Sequence, residues 1–130
     1  MMNAASALRQ YQSVNTDILV SDASPHRLIQ MLMDGGLSRL AQARGALEHG
    51  QLAVKGELIG KAISIVGGLR GALDMERGGE VAINLDRLYE YMGNRLVEAN
   101  AKADMAIIDE VSRLMRTIKS GWDGIAPSAS

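Results

Sequence analysis

The stretch from Gly56 to Tyr91, GELIGKAISIVGGLRGALDMERGGEVAINLDRLYEY, constrains the fold more than any other part of the chain. At about 100° of turn per residue, Val54, Leu58, Ile59, Ala62, Ile63, Ile65, Val66, Leu69 and Leu73 spread over roughly half of a helix's circumference. That band is wider than the apolar stripe of about 100° that a surface helix needs. On the opposite side Gly56, Gly60, Ser64, Gly67 and Gly71 line up at helical spacing, so the backbone there is nearly bare. Each interior glycine costs about 1 kcal/mol relative to alanine, and a row of them implies close approach of another backbone. Two readings stay open. The glycines pack against a neighbouring helix of the same chain, or they form a smooth groove in which a partner's helix lies.

The remaining elements follow from capping and periodicity. Ser24 ahead of Pro25 starts a helix, because the hydroxyl can accept from an orphan N–H and proline at the first position loses no needed donor. Leu28, Ile29, Leu32, Gly36, Leu40, Ala43 and Leu47 keep to one face of that helix up to Gly50, while Met33 and Leu37 widen its apolar band toward the outside. The second helix is expected from about Glu57 to Glu76, with the Gly78-Gly79 pair freeing the chain to reverse. The third begins near Glu80, with Val81, Leu85, Leu88, Tyr89, Met92, Leu96 and Ala99 as its core stripe. Ile83 and Val97 fall near its opposite side and Tyr91 on a flank. Asp104 is placed to cap a fourth helix, whose inner face carries Ile107, Ile108, Val111, Leu114, Met115, Ile118 and Trp122. With no alternating β pattern in competition, the expected fold is all-α, an antiparallel four-helix bundle over residues 24–124. Residues 1–23 are expected to form an extended or short-helical N-terminal arm, and residues 125–130 a flexible tail. Leu8 and Tyr11 are poor choices for a segment that only needs to be soluble, so the arm is expected to dock reversibly onto the body.

Composition removes several function classes. A net charge of -1 with interspersed signs gives no basic stripe, which argues against nucleic acid or an anionic membrane as the partner. The absence of cysteine removes disulfide and thiolate chemistry and suits a reducing cytosol. No signal peptide and no long uncharged apolar run is visible, so a cytoplasmic protein without direct membrane insertion is expected. Eight methionines and no phenylalanine make a compliant apolar core and adaptable surfaces. His26 and His49 are too far apart to form a ligand pair, and Ser38, Ser64 and Ser112 have no adjacent base. The expectation is therefore no catalytic residue, no metal and no cofactor: a binding protein and not an enzyme.

One family resemblance sharpens this. Ala62 to Glu80, with Asn84, Leu85, Leu88, Tyr89, Tyr91 and Met92, resembles the flagellar secretion chaperone family, FliS. Upstream, Ala23-Ser24-Pro25-His26 with Leu28, Ile29, Met31, Leu32, Asp34 and Gly35 is similar to that family's ASPHxLIxMLxDG signature. Downstream, Leu96, Glu98, Ala99 and Asn100 match its xLxxAN segment, and Trp122 its terminal aromatic. Met33, Gly93, Asn94 and Ala103 depart from the pattern, the last standing where the family has asparagine. The resemblance implies a cytosolic export chaperone that binds the disordered C-terminal segment of flagellin, prevents premature polymerisation, and assists delivery to a component of the flagellar type III export gate. It also implies that Leu8 and Tyr11 belong to an arm that covers part of the client groove. On the body, helical geometry selects Leu37, Gly60, Ser64, Gly67, Gly71, Ile83, Tyr91 and Val97 as the partner-binding surface. The alternative is a helical-bundle adaptor or regulator that binds a folded partner; a homodimer of the free protein through the glycine row is a third reading.

Overall fold

The computed structural model describes residues 23–125. Within them the chain forms four helices, α1 Pro25–Glu48, α2 Leu52–Gly71, α3 Met75–Lys102 and α4 Met105–Asp123, in an antiparallel four-helix bundle. The connections are three residues or fewer, which forces consecutive helices to lie side by side and run in opposite directions. α1 packs on α2 and α4, and α3 packs on the same two helices from the far corner; the α3 and α4 pairing is the sparsest of the four.

Side-chain caps set most helix starts. Ser24 Oγ accepts from the Arg27 N–H, the Asp74 carboxylate from Glu76 and Arg77, and the Asp104 carboxylate from Ala106. Each satisfies donors that the first turn leaves orphaned. The cap at Asp74 corrects the expected second boundary. α2 stops at Gly71 and the chain reverses at residues 72–74, because Asp74 caps a first helical turn at residues 75–78; the expected break at the glycine pair is also present, and the long regular part of α3 runs on from Glu80. Gly79 then carries a kink inside α3, with φ 52° and ψ -129°, a backbone conformation open essentially to glycine alone.

The core is aliphatic and methionine-rich. Leu32, Met33, Leu40, Ile59, Ile65, Leu69, Met92, Leu96, Ile108, Val111 and Met115 are sealed from solvent. The broad apolar band of α2 is explained by this arrangement: Ile59, Ala62, Ile65, Val66 and Leu69 are buried, while Leu58, Ile63 and Leu73 pack at the edges of the core. Gly36 lets α1 approach closely, since a Cβ there would stand 3.2 Å from Met115 Cε and 3.3 Å from Ile65 Cγ2.

Polar ties fasten the helices around this core. Arg44 joins α1 to Asp109 of α4 at 2.9 Å, Arg70 joins α2 to Asp86 and Glu90 of α3, and Arg95 joins α3 to Glu110 of α4 at 2.8 Å. Lys55 is 5% exposed, and its ammonium donates to the carbonyl and the side-chain oxygen of Asn100, both at 2.9 Å. A cation therefore caps the negative end of α3. The chain then turns at Ala103, held in the left-handed conformation at φ 51°.

Candidate functional site

At the end of the bundle where α1 begins and α4 finishes, the helices part. The gap is a cleft of about 810 Å³, within the range of pockets that hold ligands. α1 contributes His26, Ile29 and Met33, and α2 with its following turn contributes Leu69, Ala72 and Leu73. α3 adds Arg77, Val81, Leu85 and Tyr89, α4 adds Ile118 and Trp122, and Ile125 follows just past the end of α4. The cleft forms because the first turns of α3 stand off from the last turns of α4. Val81, placed by its periodicity in the core stripe of α3, is instead 66% exposed; the helix that would have covered it lies across the cleft.

The chemistry of this lining is narrow. Nearly all of it is aliphatic or aromatic, and its polar groups are otherwise engaged. Asp74 caps α3. The His26 Nε2–H donates to the Trp122 carbonyl at 2.8 Å. Burial raises the Tyr89 phenol above its ordinary range, so it stays neutral. No acid and base converge on a point where a substrate atom could react. Among the described residues no His, Cys, Asp and Glu group could hold a metal ion, and no helix is long and apolar enough to cross a membrane. A cleft of this kind offers apolar burial, at about 25 cal/mol per Å².

The glycine row lies on a second surface. Gly60, Ser64 and Gly67 are exposed, and a Cβ at either glycine would meet nothing within 4 Å. Packing among the described residues therefore does not explain these two glycines, whereas it does explain Gly36. Ser64 folds its hydroxyl back to donate to the Gly60 carbonyl at 3.2 Å, so nothing projects from this strip. Arg70 reaches Asp86 of α3, and a Cβ at Gly56 would meet Asn100 of α3 at 3.5 Å; Gly67 and Gly60 lie about 20° and 40° around the helix from Gly56, and about 60° and 80° from Arg70. On α3, Ile83 and Val97 are exposed and stand two turns to either side of Glu90, which reaches Arg70 of α2. The glycine strip and these two side chains are thus opposite banks of the outer seam between α2 and α3.

Other residues selected from the sequence fall elsewhere. Tyr91 is exposed but turns toward α4, where its hydroxyl donates to Glu110 at 2.6 Å. Leu37 is half-buried against the core, and Gly71 is half-buried at the last residue of α2. Leu8 and Tyr11 lie outside the described residues. The cleft was missed by the sequence reading, although Leu73, Leu85, Ile118 and Trp122 were each placed on inward faces; what they share is a helix end facing the same corner.

The fold and these two surfaces define a class: helical bundles that carry an open apolar cleft in place of a polar reaction centre. The family model described as flagellar protein FliS matches residues 5–129. The chain is 66% identical over 125 residues to flagellar secretion chaperone FliSB of Pseudomonas aeruginosa, covering 96% of this chain and 99% of the relative. It is 46% identical to the flagellar secretion chaperone FliS of Vibrio cholerae, over 93% of this chain and 89% of the relative, and 46% identical to that of Salmonella typhimurium, over 99% and 96%. The chain belongs to the FliS family, a family of secretion chaperones and not of enzymes.

Proposed function

We propose that this protein is a cytosolic chaperone of flagellar export whose client is the C-terminal segment of flagellin, held unpolymerised until delivery to the export gate. The observation that carries this reading is the aliphatic cleft between α3 and α4. A client that is disordered on its own loses ordering entropy when bound, and that loss must be offset by apolar burial over a long interface. Helix-in-groove recognition suits both surfaces: a segment rich in aliphatic side chains fills the cleft, and a following segment lies along the bare strip of Gly60, Ser64 and Gly67, against Ile83 and Val97. Gly71 stands between the strip and the cleft in sequence, while Leu37 and Tyr91 belong to neither surface. In this reading Leu8 and Tyr11 of the arm occupy part of the cleft until the client displaces them and then serve in docking at the gate.

Calorimetric titration with a synthetic peptide of flagellin's C-terminal segment tests the proposal. A one-to-one complex with a large negative heat-capacity change is expected, the mark of extensive apolar burial. A protein that ignores the peptide but captures a folded partner would be the bundle adaptor instead.

A further inference from the structure

His26 is 4% exposed and belongs to the first turn of α1, yet its partners are in the last turn of α4, 96 residues away. The contact is reciprocal. His26 Nε2–H donates to the Trp122 carbonyl at 2.8 Å, Trp122 Nε1–H donates to the His26 carbonyl at 3.0 Å, and the rings stack with centroids 4.9 Å apart and planes 14° from parallel. Because the acceptor is a carbonyl, the proton on the imidazole sits on Nε2.

This clasp answers a mechanical need. The last carbonyls of any helix lack intrahelical donors, and its final turn frays unless something holds it. In α4 that turn provides Trp122 and, just beyond it, Ile125 to the cleft. α3 cannot hold it, because the cleft lies between them. Among the described residues, the polar ties at this end of α4 are local or come from α1: the Trp122 carbonyl accepts the Ile125 N–H at 3.1 Å, and α1 adds His26 to Trp122, Gln30 to Asp123 at 2.8 Å, and Asp34 to Lys119 at 3.5 Å. Of the ties from α1, the one from His26 joins a nearly sealed side chain to a residue that lines the cleft.

We propose that His26 is a positioning residue: by capping and stacking on Trp122 it fixes the last turn of α4 as a preformed wall of the cleft, and so sets the affinity for whatever fills it. A preformed wall spares the client the ordering that a frayed turn would demand. The inference rests on the proposal that the cleft is the client site, and its test separates the two.

The test compares His26→Ala, His26→Gln and the remote core variant Ile59→Val. Glutamine can place an amide N–H near the position of Nε2 without a ring. His26→Ala is expected to weaken binding of the flagellin C-terminal peptide about tenfold, the ratio to which about 1.4 kcal/mol, the upper end of one hydrogen bond's net worth, converts. Amide exchange should accelerate over residues 119–125 and little elsewhere. His26→Gln should return affinity to within about threefold of the parent, and Ile59→Val should lower the melting temperature with unchanged affinity. Parental affinity in a folded His26→Ala protein overturns the proposal, as does an equal loss in Ile59→Val. Should His26→Ala not fold, Trp122→Phe, which lacks the indole N–H, is expected to weaken binding about threefold; parental affinity there overturns it. If the parent protein ignores the peptide, the client assignment falls and the clasp is read from anilinonaphthalene sulfonate affinity of the cleft, which should drop in His26→Ala and recover in His26→Gln. Unchanged dye affinity then overturns it.

Discussion

The two ends of this bundle come to opposite results. Where α2 begins and α3 finishes, a buried lysine is spent on the end of a helix, Arg44 and Arg95 reach across to Asp109 and Glu110, and Leu96 and Ile108 are sealed between them. Where α3 begins and α4 finishes, Val81 and Ile125 stand in the open beside an aliphatic cleft. The first end closes on polar ties between its helices; the second is lined by aliphatic and aromatic side chains around open space. Both ends leave single aliphatic side chains in water, Leu52 and Val54 at one and Val81 and Ile125 at the other, and at the second end they stand beside a cleft.

The largest test of that contrast pairs one valine with one leucine. Leu96→Ala should destabilise the protein by about 2–5 kcal/mol in denaturant melts, since it empties a fully enclosed site. Val81→Ser should change stability by less than about 0.5 kcal/mol, yet weaken peptide binding. Comparable destabilisation by both would mean that the cleft closes in solution. At the closed end Ala103 sits at φ 51°, and a left-handed alanine costs about 1–2 kcal/mol. Ala103→Gly is therefore expected to raise stability by about 1 kcal/mol without touching affinity.

The seam between α2 and α3 gives a test of similar or smaller size with a split outcome. A Cβ at Gly67 meets nothing, so Gly67→Ala should stabilise the helix by up to about 1 kcal/mol. Gly67→Leu should leave the helical spectrum intact while abolishing the peptide complex. A loss of fold in either variant would mean that another part of the chain covers the strip.

The smallest effect concerns pH. Hydrogen bonds from Tyr91 and Arg95 hold the Glu110 carboxyl below its usual range, Lys102 and Arg95 do the same for Glu98, and Arg70 does so for Asp86. A carboxylate with a lowered folded pKa contributes stability above its unfolded pKa and loses it as pH falls through the folded value. The melting temperature should thus hold from pH 7 to about 5 and decline in the acid range where carboxylates protonate. Glu110→Gln should flatten that decline, and added salt should shrink it, because these groups are solvent-exposed.

Much of the fold was legible in the sequence because its causes are local. Ser24, Asp104 and the spacing of the leucines on α1 report their own neighbourhoods, and the helices they imply are present. α2 ends before the expected Glu76 because Asp74 caps a new turn there, while the Gly78-Gly79 break that the sequence announces is present as the kink at Gly79. The cleft was illegible for a different reason. Val81 shares its stripe with Tyr89, which is buried, and no local pattern says that the opposing helix has moved away from one and not the other. The glycine row could be seen in the sequence, but its surroundings could not. Gly36 and Gly67 look alike in a string, yet one is a knob-free seat for Met115 and the other is bare to solvent.

Trp122 is the chain's single tryptophan, and its indole forms part of the cleft while stacked on an imidazole. An optical gauge therefore stands in the wall of the cleft that we propose the client fills. Emission from unlabelled protein can follow filling, emptying and displacement in real time, and a search for small molecules that plug this chaperone needs no dye attached to either party.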